Sequence, residues 1–133
     1  MHANVLESAQ TGAPRVLVVD DDACLAELIA QALGRRGVAT AIAHTAEQAL
    51  DHAAEFRPQI ALLDLALPTL DGHDLGVRLR ASLRGNVSLV AVTGFDDPWA
   101  RRRSRQLGFA AHLIKPVSLP ALRRLIAELT PPH

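Results

Sequence analysis

The chain has 133 residues, 49% apolar and 21% charged, a balance that suits one globular domain with a buried core and excludes a disordered chain. No apolar run reaches the roughly 20 residues of a membrane span, the start lacks the basic and apolar regions of a secretory signal, and the lone Cys24 excludes an internal disulfide and fits a reducing compartment, so cytoplasm is the expected location. Net charge is zero, yet residues 1–74 hold 4 basic and 11 acidic side chains and residues 75–133 hold 10 and 3, a polarity that suits either a partner-facing surface or ordinary solvated helices.

Residues 1–14 are polar with Gly and Pro and read as a flexible lead-in to a domain over 15–130. Val16–Asp20 is a first strand whose unbroken Val/Leu run indicates burial on both faces, the habit of parallel sheets. From Asp22 or Ala23 to Arg36, Leu25, Leu28, Ile29, Ala32 and Leu33 recur at helical spacing, with Gly37 as the stop. A second strand covers Val38–Ala43. Thr45-Ala-Glu-Gln48 matches a capping box and opens a helix to about Phe56, ended by Arg57-Pro58.

Ile60–Asp64 is a third buried strand. A turn-rich loop, Leu67-Pro-Thr-Leu-Asp-Gly72, leads to a helix from about His73 to Leu83, and Asn86–Thr93 is the fourth strand. Asp97-Pro98 supplies a cap and a helix-starting proline for a helix to about Leu107. Ala111–Ile114 is the fifth strand, Lys115-Pro116 breaks it, and Ser118 caps a last helix carrying Leu119, Leu122, Leu125, Ile126 and Leu129.

Five βα units joined by short connections require a parallel sheet with helices on both faces. Such sheets bind ligands outside the carboxyl ends of the strands where strand order reverses, which in the order 2-1-3-4-5 lies between strands one and three. Asp20, Asp21 and Asp22 follow the first, Asp64 closes the third, Thr93 the fourth and Lys115 the fifth. One of the three adjacent acids serves as a helix cap. The others offer hard oxygen ligands suited to Mg²⁺. A cation and Lys115 could neutralise a phosphoryl group arriving on Asp64, and Thr93 could bond its oxygen.

Taken together, Val18-Val19-Asp20-Asp21-Asp22, Leu62-Leu63-Asp64-Leu65, Leu67-Pro68 through Asp71-Gly72, Ala91-Val92-Thr93-Gly94 and Leu113-Ile114-Lys115-Pro116 resemble the receiver domains of two-component response regulators, over roughly Arg15 to Leu129. The resemblance implies the (βα)5 doubly wound, flavodoxin-like fold and a phosphoacceptor at Asp64. It implies Mg²⁺ (or Mn²⁺) on Asp20, Asp21, Asp64 and the Ala66 carbonyl, with Asp22 left to the cap and Thr93 and Lys115 sensing the phosphoryl group. It further implies a histidine kinase or histidine phosphotransfer protein as donor, Mg²⁺-dependent self-phosphorylation with slow autodephosphorylation, and signalling through protein contacts on the helix-four, strand-five, helix-five face. Neither an output domain nor a direct nucleic-acid or membrane partner is expected.

Departures from the family pattern bear on mechanism. The family has Tyr or Phe three residues before the Lys, as a switch that swings inward on phosphorylation; here His112 stands there. Strand alternation turns it to the opposite side from Lys115, towards helices four and five, and an imidazole can titrate near neutral pH. Two positions that influence hydrolysis are Ala66 and Phe95, neither able to orient water, which implies a long-lived aspartyl phosphate. Small residues along helix one, Ala23, Cys24, Ala26 and Ala30, suit a docking patch or are simply good helix formers. Arg101, Arg102, Arg103 and Arg105 invite a nucleic-acid reading, but without an aromatic platform or recognition-helix motif a solvated face or an acidic protein partner is favoured. The six histidines show no metal-ligand spacing, and most read as surface residues. Trp99 is an exposed contact or packing residue.

Asp20-x-Asp22 after an apolar strand also resembles an aspartate-nucleophile phosphatase, a reading that leaves Asp64 idle and lacks a later acidic pair for the metal. A non-phosphorylated binding module on the same fold sits poorly with a full set of site residues.

Overall fold

The computed structural model describes residues 13–130; most of the expected lead-in, and His2 and His133 with it, lie outside the described residues. Five strands, β1 (Arg15–Val19), β2 (Ala39–Ala43), β3 (Ile60–Asp64), β4 (Ser88–Thr93) and β5 (Ala111–Ile114), alternate with five helices, α1 (Ala23–Gly34), α2 (Ala46–Phe56), α3 (Gly72–Ser82), α4 (Pro98–Gln106) and α5 (Leu119–Leu129). The sheet order is β2-β1-β3-β4-β5, parallel throughout. This is the expected doubly wound, flavodoxin-like architecture.

Alternation along the strands divides the core into two layers. Leu17, Val19, Ala61, Leu63 and Leu89 pack against Ala46, Ala49 and Ala53 of α2 and Leu75 and Leu79 of α3. Val16, Val18, Ile60, Leu62, Val90 and Val92 pack against Ala26, Ile29 and Leu33 of α1 and Leu122 and Ile126 of α5. Each Val, Leu or Ile among them, fully buried, contributes about 1.5–3 kcal/mol by leaving water, and each alanine correspondingly less. α4 is different: Ser104 is its one buried residue, so it is held to the sheet largely by polar contacts.

Caps explain where the helices begin. Asp22, Thr45, Asp71, Asp97 and Ser118 each accept a backbone N–H of the first turn of the helix they precede. Thr45 Oγ1 accepts the Gln48 N–H, but the Gln48 Oε1 accepts the N–H of His44, one residue earlier than the Thr45 N–H that a capping box requires. α1 stops at Gly34, two residues before the expected end, and the turn after it closes at Gly37, whose φ of +81° suits glycine. β2 and β4 also start later than their apolar runs suggested, at Ala39 and Ser88.

Candidate functional site

The backbone is stitched across the carboxyl edge of the sheet. The Asp20 N–H donates to Ala43 O at 3.1 Å, the Leu65 N–H to Val92 O at 3.1 Å and the Lys115 N–H to Thr93 O at 2.8 Å. These bonds hold Asp20, Asp64, Thr93 and Lys115 at four neighbouring strand ends. The chain after Asp64 turns sharply, with the Asp64 carboxylate accepting the Ala66 N–H at 3.0 Å. It then returns so closely that a Cβ on Gly72 would collide with the Asp64 carbonyl oxygen. Only glycine fits there, and that contact sets the height of the β3–α3 loop over the site.

Asp20, Asp64 and Thr93 are buried, while Asp21 is exposed at the rim. Asp20, Asp21 and Asp64 each present a carboxylate oxygen within 4.8 Å of the others. Asp22 is turned away, accepting the Leu25 N–H at 3.1 Å. The Lys115 Nζ stands 3.0 Å from Asp20 Oδ2 and 3.6 Å from Asp64 Oδ2. Thr93 Oγ1 accepts the Phe95 N–H at 3.3 Å. His44 sits beside the site, its Nδ1 3.0 Å from Asp20 O.

Charge is crowded here. Burial holds the Asp64 carboxyl above its ordinary range; the Ala66 N–H pulls it down, Asp20 and Asp21 push it further up, and Lys115 offsets part of that. Burial also works against the Lys115 ammonium, but its hydrogen bond to Asp20 and the attraction of both buried carboxylates keep its pKa above the ordinary lysine value. Three clustered hard oxygen donors with one ammonium among them are a set that fits a small divalent cation.

A groove of about 310 Å³ opens next to the acids, lined by Ala66, Asp71, His73, Thr93, Phe95 and Trp99 among others. Phe95 and Trp99 are 78% and 74% exposed, so the Phe95 ring does not cover the acids by packing over them, and Trp99 is a surface residue. Arg101 pairs with Asp96 at 2.7 Å and Arg103 with Asp74 at 2.9 Å. Half of the arginines of α4 are therefore engaged within the chain.

His112 lies on the face away from the Lys115 site, as alternation required, but it engages α4 and α3. Its Nδ1 is 2.8 Å from Ser104 Oγ, which in turn lies 2.7 Å from His73 Nε2. His73 is not a surface residue: it is 2% exposed and stacks edge-on against Phe109, ring centroids 5.3 Å apart. Its spacing from Gly76 and Leu79, which are also buried, was the available signal.

The family model for the response regulator receiver domain matches residues 16–127. The sporulation initiation phosphotransferase F of Bacillus subtilis is 26% identical over 117 residues, covering 88% of this chain and 94% of that protein. The response regulator MprA of Mycobacterium avium is 33% identical over 108 residues, 81% of this chain but only 47% of that protein. Among solved structures, a CheY-like receiver domain protein from Methanospirillum hungatei JF-1 superposes with a TM-score of 0.81 at 30% identity, covering 87% of this chain and 92% of that one. A response regulator from Burkholderia pseudomallei, solved with a phosphorylated aspartic acid, calcium ion and citrate, gives 0.79 at 26% identity over 85% and 66%. Among the described residues, no helix is long and apolar enough to cross a membrane. With its sheet order, its acidic cluster and a family match running from the first strand into the last helix, the chain belongs to the response regulator receiver domains of two-component systems.

Proposed function

We propose that this receiver accepts a phosphoryl group on Asp64 from a histidine kinase or histidine phosphotransfer protein and signals by protein contacts through α4, β5 and α5. An Asp64 carboxylate oxygen forms the new bond to phosphorus as the phosphorus–nitrogen bond to the donor imidazole breaks, and the donor nitrogen recovers its lone pair. Asp20, Asp21 and Asp64, with the Ala66 carbonyl, would hold Mg²⁺ or Mn²⁺. That ion supplies positive charge to offset the arriving phosphoryl oxygens. Lys115, held between Asp20 and Asp64, adds a second positive charge, and the Thr93 hydroxyl, which now only accepts the Phe95 N–H, has its proton free to donate to a phosphoryl oxygen. His112 takes the switch position on β5.

One observation carries this reading: a buried carboxylate, Asp64, lies with two further carboxylate oxygens within 4.8 Å and an ammonium at 3.6 Å. The arrangement favours a multiply charged anion plus a cation over either alone. The tilt against the phosphatase reading has the same source, because Asp22 is a helix cap outside the cluster.

The test is the intact mass after incubation with a small phosphodonor such as acetyl phosphate, with and without Mg²⁺, beside Asp64→Asn. One added phosphoryl group that requires Mg²⁺ and vanishes in the variant supports the proposal. No gain in the wild-type chain, or label surviving in Asp64→Asn, overturns it, the latter moving the chemistry to Asp20.

A further inference from the structure

Asp71, His73, Ser104 and His112 come from the loop beside the acceptor, α3, α4 and β5, yet their polar atoms form one line. His73 Nδ1 is 3.6 Å from Asp71 Oδ1. Ser104 Oγ is 2.7 Å from His73 Nε2 and 2.8 Å from His112 Nδ1. At the far end His112 Nε2 is buried without a hydrogen-bond partner. Nothing about the site chemistry requires this line, and α4 has no other buried residue.

A hydroxyl carries one proton, so with two imidazole nitrogens against it, one contact must donate to Ser104 and the other accept from it. Only two orders satisfy both contacts with neutral rings. If His73 Nε2–H donated to Ser104 and Ser104 to His112, the proton of His112 would sit on Nε2, a buried donor with no acceptor. The His73 Nδ1 lone pair would then also face the Asp71 carboxylate. In the reverse order His112 Nδ1–H donates to Ser104, Ser104 O–H donates to His73 Nε2, and His73 Nδ1–H points at Asp71. The remaining orphan is then a lone pair, which costs less than a stranded N–H. Burial disfavours the charged form of both rings, consistent with a neutral chain.

From this we infer that His112, Ser104 and His73 form a single proton-ordered hydrogen-bond chain, every donor directed towards the Asp71 carboxylate that stands 3.6 Å from His73 Nδ1, and that it ties β5 and α4 to the start of α3. Both histidines are held in the Nδ1–H tautomer, the minor neutral form of a histidine side chain free in water. His73, Ser104 and His112 are positioning residues: the chain holds the His112 ring inward and supplies the polar attachment that an otherwise solvent-directed α4 lacks. Ser104 is the middle link, where one small change separates α4 and β5 from α3.

Long-range ¹H–¹⁵N correlation spectra of the ¹⁵N-histidine-labelled chain at pH 7.5 read the tautomers directly, with His73→Gln and His112→Phe for assignment. The expected result is a neutral Nδ1–H tautomer for both His73 and His112. His112 with its proton on Nε2, or either ring as imidazolium, overturns the chain. In Ser104→Ala, His112 loses its acceptor and leaves the pure Nδ1–H state, while His73, still facing Asp71, keeps it. Amide exchange in α4 and β5 rises about tenfold with β1 and β3 unchanged. Both rings and both exchange patterns unaffected in Ser104→Ala would equally refute the inference. If that variant does not fold, the wild-type tautomers decide alone. None of these readouts depends on phosphorylation, so they stand or fall separately from the role of Asp64.

Discussion

The Lys115 ammonium lies 3.0 Å from Asp20 Oδ2, within the same carboxylate cluster that suits a divalent cation. In this arrangement lysine and metal compete for the same negative charge. Lys115→Met keeps the stem and removes the charge, so Mg²⁺ binding should tighten about tenfold, the scale of one partly screened charge–charge interaction. Trp99 lines the adjoining groove and is the chain's one tryptophan, so its fluorescence can follow the titration. Unchanged or weaker Mg²⁺ binding would show that Lys115 does not oppose the cation.

Asp64 presents the complementary case. Burial, reinforced by Asp20 and Asp21, raises its pKa, so the folded state binds this proton more tightly than the unfolded chain. Stability tied to that proton is present at low pH and is lost as pH rises through the raised value. At neutral pH the ionised carboxylate therefore opposes folding. Asp64→Asn keeps an oxygen for the Ala66 N–H and should raise the metal-free Tm by roughly 3–5 °C, the shift about 1 kcal/mol produces at this size. Added Mg²⁺ should then stabilise the wild type and leave the variant nearly unmoved. Thermal melts with and without Mg²⁺ decide it, and a lower metal-free Tm for the variant would contradict the argument.

The main lines of fold and site were legible because they are local. Unbroken runs such as Ile60–Leu63 announce a strand buried on both faces, and the acids fall at strand ends that the winding rule brings together. Asp22 was assigned to its cap because only one of three adjacent acids can play that part. What stayed hidden depends on tertiary approach. His73 and Ser104 are 31 positions apart, and no periodicity shows that a polar α4 would dock through a hydroxyl. The need for glycine at position 72 is likewise invisible until the chain returns over the Asp64 carbonyl. Alternation predicts His112 towards helices four and five; α4 does hold it, through Ser104, but α5 packs with Ala111 and Leu113 on the other layer, and the link on to His73 of α3 is one that alternation cannot name.

Acid should loosen the α3–α4–β5 region first. Burial lowers the pKa of His73 and of His112 from 6.5, so below 6.5 the unfolded chain takes up protons that the folded one refuses. Stability is full above pH 6.5 and falls as pH drops from there to the depressed folded values. Around His73 stand Asp71, Asp74 and Arg103; around His112 stand Arg101, Asp96, Asp97 and His73 itself. The nearby acids moderate the effect without reversing it. Urea melts between pH 7.5 and 5 should show this decline, and His112→Phe should make it shallower. A wild-type stability flat across that range would rule it out.

The surroundings of Asp64 bear on how long a phosphoryl group survives there. Ala66 ends in a methyl group, and Phe95, at 78% exposure, offers no hydrogen bond; both line the groove that leads to the acids. Water reaching the phosphorus along that groove finds no side chain at these two positions to orient it or take its proton, so attack relies on unassisted collision. The aspartyl phosphate should accordingly be long-lived, and Ala66→Asn, which places an amide two residues after the acceptor, should speed its hydrolysis about tenfold, at the modest end of what a positioned polar group contributes. Loss of the phosphorylated mass over time, measured after removal of the donor with Mg²⁺ present, gives both rates. Equal rates for the two chains would mean that hydrolysis is limited elsewhere, most directly by the Lys115 and Thr93 contacts to the phosphoryl oxygens.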